Sequence, residues 1–123
     1  MTHEPDTSPV LDDDVVTALR GLRDRVRAPG EDPLAALLEL FVEDSHRRLG
    51  VLRDQINRRA NEDRRKTAHA IKGAAAQIGA QRVAFWAQRL ENVDGDHDAA
   101  AHLAALERAV NEAIPALRAR FAP

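Results

Sequence analysis

Apolar residues recur every three to four positions through almost the whole chain and never fall into alternating runs, which commits it to helices packed face to face. Asp12, Asp13 and Asp14 supply a cap and negative charge for a first helix, with Val15, Leu19, Leu22 and Val26 as its apolar stripe, ending before Pro29-Gly30. Asp32-Pro33, a cap followed by proline at the first helical position, opens a second helix running to about Arg59. Its stripe is Leu34, Leu37, Leu38, Phe41, Ser45, Leu49, Leu52 and Ile56. A third is predicted from Asn61 to Gly79, where glycine's access to positive φ suits a helix C-terminus. The fourth covers about Gln81 to Val93, with Val83, Trp86, Ala87 and Leu90 turned inward. Asp94-Gly95-Asp96 interrupts the pattern. A last helix from about His97 then carries Leu103, Leu106, Val110, Ile114 and Leu117, with a kink expected at Pro115.

Four long amphipathic segments behind a shorter one predict an all-α fold: an antiparallel four-helix bundle with an additional N-terminal capping helix. Residues 11–123 form this one domain, and the polar, proline-bearing residues 1–10 are read as a flexible lead. A chain of 123 residues is the size of one domain and can bury a modest core. Charged residues make up 31% of it, yet the net charge is only −2, so it carries neither a nucleic-acid footprint nor a polyacidic tail. A protein partner fits that balance. The absence of cysteine excludes disulfides, a catalytic thiol and Cys-ligated zinc. No signal peptide and no apolar run of membrane-spanning length is present, so a cytoplasmic protein without membrane attachment is expected. Met1 and the polar lead favour a free-standing protein over one domain of a larger kinase.

Chemistry concentrates in the third helix. At about 100° per residue, Ala68, Ile71, Ala75 and Ile78 gather on one face, while His69, Lys72, Gly73 and Ala76 form a stripe roughly opposite, continued by Arg65 and Glu62. His69 should therefore face solvent. An exposed imidazole offers a ring nitrogen with a free lone pair as nucleophile near neutral pH. Lys72 brings a compact, mobile cation to an anion attached there, and Gly73 removes the side chain that would obstruct a partner. Glycine inside a helix costs about 1 kcal/mol against alanine, which argues that it serves a purpose. Glu91, at the edge of the fourth helix's stripe, can accept Nδ1–H and leave Nε2 to attack; Gln88 is the weaker candidate for that role. Sixteen of the eighteen basic residues are Arg, and the two Lys are Lys66 and Lys72.

Other constellations fail on spacing. Asp94, Asp96 and Asp98 echo a calcium loop, but the required glycine is Ala99 and the closing glutamate is Ala105. His97 and His102 lie five apart, unsuited to adjacent helical metal ligands, so no metal site is expected. Trp86 reads as core.

The run Ala68-His69-Ala-Ile-Lys72-Gly73-Ala-Ala-Ala-Gln-Ile-Gly79-Ala80, with Arg82-Val83 and Leu90-Glu91 after it, resembles the histidine-containing phosphotransfer (HPt) domain. Weaker similarity covers Leu11-Asp12, the stretch from Leu40 to Asp44 and the last helix. Ile71 stands where leucine is more frequent, and Ala74 to Ala76 contains no serine; neither change removes a reacting group. The resemblance implies a phosphocarrier in a two-component phosphorelay, not an enzyme in its own right. In it His69 is the phosphoacceptor, Lys72 stabilises the phosphoryl group and Glu91 orients the imidazole. It implies a response-regulator receiver domain and a histidine or hybrid kinase as partners, with no cofactor bound by this chain and Mg²⁺ held by the receiver. Gly73, Ala76 and Arg65 would border the docking surface. Phe85 and Val16, both off the apolar stripes of their helices, are expected to add contacts there. A monomer is expected. The alternative is a helical adaptor that binds a kinase or receiver without accepting phosphate; a DNA-binding regulator lacks a basic recognition face.

Overall fold

The computed structural model describes residues 8–26, 30–94 and 98–123. Five helices follow one another: α1 Asp13–Val26, α2 Pro33–Asn57, α3 Asn61–Ile78, α4 Gln81–Asn92 and α5 Ala99–Phe121. No strand occurs among the described residues. Helices α2, α3, α4 and α5 each pack on the next, and α5 closes back on α2; the short connections make neighbours antiparallel. Helix α1 lies over α2, α3 and α5 as the cap.

Local chemistry sets the boundaries. Asp32 accepts a hydrogen bond from the Ala35 amide ahead of Pro33, capping α2. That helix stops two residues before the expected Arg59, which turns the chain at φ 57°. Gly79 ends α3 at φ 87°, with its amide bonded back to the Ala75 carbonyl. Its own carbonyl accepts from the Asp12 amide at 2.8 Å, so the end of α3 and the start of α1 are tied together. Pro115 lies inside one continuous helix, α5. The expected start of that helix at His97, and the Pro29 and Gly95-Asp96 breaks, lie outside the described residues.

The core is aliphatic, with Trp86 and Phe41 among it, and Leu52, Ile71, Ile78, Leu90, Leu106 and Leu117 sealed from solvent. The stripe expected on α1 is displaced. Leu22 and Val26 are exposed, whereas Val16 and Arg23 are buried and Leu19 half-buried. The buried face runs through Arg23 because its guanidinium donates to the Phe121 carbonyl at the C-terminus of α5, at 2.6 Å, allowing an Arg stem to line the core. Ser8 and Val10, read as part of a loose lead, both accept hydrogen bonds from Arg82 at the start of α4.

Candidate functional site

Helix α3 carries Ala68, Ile71, Ala75 and Ile78 into the core and thereby turns His69 outward, leaving its side chain 66% exposed. Gly73 and Ala76 share that exposed face, and a Cβ built on Gly73 meets nothing within 4 Å. The helix presents an imidazole on an unobstructed surface.

Glu91, one helix away on α4, reaches His69. Its Oε2 lies 2.9 Å from His69 Nδ1. A carboxylate can only accept, so Nδ1 carries the hydrogen and Nε2 keeps its lone pair, directed away from Glu91. Gln88 is exposed and does not take this role. The other carboxylate oxygen, Oε1, is buried, makes no hydrogen bond, and has the Lys72 ammonium 3.5 Å away. Lys72 and His69 thus share one carboxylate. Arg65, paired with Glu62 at 3.5 Å, lines an open concavity together with Lys66, His69 and Glu91.

What holds Glu91 in place is a residue the sequence reading passed over. Arg64 is wholly buried; its guanidinium donates to the carbonyls of Leu90 and, at 2.9 Å, Val93, the residues bracketing Glu91 at the C-terminus of α4. A cation there satisfies helix-end carbonyls and complements the negative end of the dipole. A signal existed: Arg64, Ala68, Ile71, Ala75 and Ile78 follow the spacing of a single buried face.

The two expected apolar docking residues fare differently. Val16 is fully buried, with Gly79 beneath it so close that a Cβ on that glycine would come within 3.0 Å of Val16 Cγ2; it is core and unavailable for docking. Phe85 is half-buried, edge-on to Trp86 with the Arg89 guanidinium over its ring. A groove the sequence did not show lies instead between α2 and α3. Leu37, Leu40, Phe41 and Ile78 line it beside Ala74 and Gln77, a cleft of about 320 Å³ one turn along α3 from Gly73. Leu40 is 64% exposed there. Asp44 also lines the groove, its carboxyl held below the usual carboxylate range by a hydrogen bond from Arg48, with Arg47 adding to the effect against the opposing influence of burial.

A helical bundle bearing an exposed, carboxylate-oriented histidine defines a class: a phosphotransfer scaffold. Residues 36–120 match the family model described as the Hpt domain, and the chain belongs to that family. Its function is histidine phosphotransfer in a phosphorelay. Among solved structures it is similar to histidine-containing phosphotransfer protein B from Pseudomonas aeruginosa PAO1. The two are 27% identical with a TM-score of 0.77, over 92% of this chain and 95% of that one. No curated protein matches. Among the described residues no helix is long and apolar enough to cross a membrane, and no group of three or more His, Asp or Glu is arranged to hold a metal ion.

Proposed function

We propose that His69 accepts the phosphoryl group and passes it to or from an aspartate of a response-regulator receiver domain. The observation that carries this reading is the 2.9 Å contact between His69 Nδ1 and Glu91 on an otherwise exposed ring. In the forward step the Nε2 lone pair forms the N–P bond as the P–O bond to the aspartyl carboxylate breaks and that carboxylate leaves with the electron pair. Nδ1 keeps its proton, and the positive charge this leaves on the phosphorylated ring faces the Glu91 carboxylate. Lys72 offers its ammonium to the phosphoryl oxygens.

The receiver, with its bound Mg²⁺, supplies most of the catalysis, and a histidine or hybrid kinase stands at the other end of the relay. The chain acts in the cytoplasm as a monomer. Docking uses Gly73, Ala76, Arg65 and Phe85, together with the apolar groove at Leu37 and Leu40 in place of the buried Val16. A phosphorylated receiver should label the wild-type protein with an acid-labile, base-stable phosphate, and His69→Gln should take none. Label retained by that variant would refute the assignment. A receiver that binds the wild-type protein without labelling it would leave the adaptor reading in its place.

A further inference from the structure

The two lysines of this chain, among eighteen basic residues, sit three positions before and three positions after His69. On a helix those offsets place them about 60° to either side of the histidine and one turn away in opposite directions. Lys72 is accounted for by its pairing with Glu91 at 3.5 Å. Lys66 is exposed, lines the same concavity as His69, and makes no ion pair among the described residues. Its neighbours in that concavity are otherwise engaged: Arg65 with Glu62, and His69 with Glu91.

We propose that Lys66 is a second phosphoryl-binding residue, closing on the phosphate of His69 from the flank opposite Lys72. This rests on His69 being the phosphoacceptor. The reason lies in where Lys72 is held. Lys72 divides its ammonium between a phosphate on Nε2 and Glu91, whose Oε1 is buried and has no hydrogen-bond donor. Lys66 breaks no pair when it swings toward the same oxygens. The phosphoryl group carries close to two negative charges and three acceptor oxygens, more than one ammonium satisfies. A lysine suits the position because its point charge rides on a flexible stem, whereas an arginine fork presents a fixed pair of donors.

The test uses the 123-residue chain, phosphorylated either by a phosphorylated receiver or by phosphoramidate, which needs no docked protein. Lys66→Met should slow labelling by both donors about fivefold, the scale of a lost, partly screened charge contact. It should also shorten the lifetime of phospho-His69. In ³¹P NMR the last phosphoryl ionisation should move to higher pH, because the dianion has lost a cation, and Lys66→Arg should restore part of the shift. A variant slowed only with the receiver would show that Lys66 contacts the partner, and would overturn the proposal. So would unchanged rates with an unchanged ³¹P titration. If His69→Gln is labelled as well as wild type, the assignment of His69 fails, a result distinct from any obtained with Lys66→Met on a protein labelled at His69.

Discussion

Two glycines of α3 show how one residue type serves opposite ends. Gly79 is required by backbone and space together: its φ is 87°, and a Cβ would press on Val16 Cγ2 at 3.0 Å. Gly73 has helical geometry and open space around it, so the fold gains nothing from it. Gly73→Ala should therefore raise unfolding free energy by about 1 kcal/mol, the helix-propensity difference. If its purpose is access, the same variant should slow transfer from a phosphorylated receiver. Denaturant unfolding and transfer rates measured side by side decide it: a stabilised protein with undiminished transfer would make Gly73 a tolerated small residue. Both glycines were legible in the sequence, and so were His69 and Lys72, because each lies on one helix whose phase the apolar residues set. Glu91 was named as the imidazole's partner from its place at the edge of its helix's stripe, but its contact depends on how α4 is rotated against α3.

At the scale of elements, helix ends in this bundle are finished by buried arginines from neighbouring helices. Arg23 of α1 donates to the last turn of α5, and Arg64 of α3 to the last turn of α4. Neither α3 nor α4 has a side-chain cap at its N-terminus, so the tertiary bonds at the far end of α4 carry more of its definition. Arg64→Met keeps the apolar stem but leaves the Leu90 and Val93 carbonyls without their donor. A loss of about 2–4 kcal/mol is expected from one buried and one part-buried acceptor stripped of a charged partner. Hydrogen exchange should quicken first at the end of α4. A loss below about 1 kcal/mol in denaturant unfolding would mean that water satisfies those carbonyls instead. The helices themselves were readable to within a few residues, since period and caps are local. The inward face of α1 was misjudged because counting apolar residues overlooks a charged side chain whose end is satisfied by another helix.

For the whole molecule, the packing of α4 on α5 makes stability depend on pH. His102 of α5 stands 5.7 Å from Trp86, its Nδ1 buried with no hydrogen-bond partner. Burial holds its pKa below the ordinary 6.5, the charge of Arg89 adds to this, and Asp98 opposes it. The unfolded chain therefore binds a proton more readily, and stability should fall as pH drops below about 6.5, levelling off once the folded site is protonated too. Urea unfolding followed by Trp86 fluorescence at pH 7.5 and 5.5 should show the loss, and His102→Leu should lessen it. Equal acid sensitivity in that variant would remove His102 as the cause. By itself the sequence determined the all-helical architecture, the exposed face of α3 and the histidine on it, because these follow from the 3.6-residue period and the chemistry of single side chains. Only the tertiary structure decided that Glu91 serves His69 and Lys72 together, that Arg64 holds Glu91's helix end, that Val16 is core, and that an apolar groove opens beside Gly73. Each of those depends on the rotation and spacing of one helix against another, which no single helix's residue pattern contains.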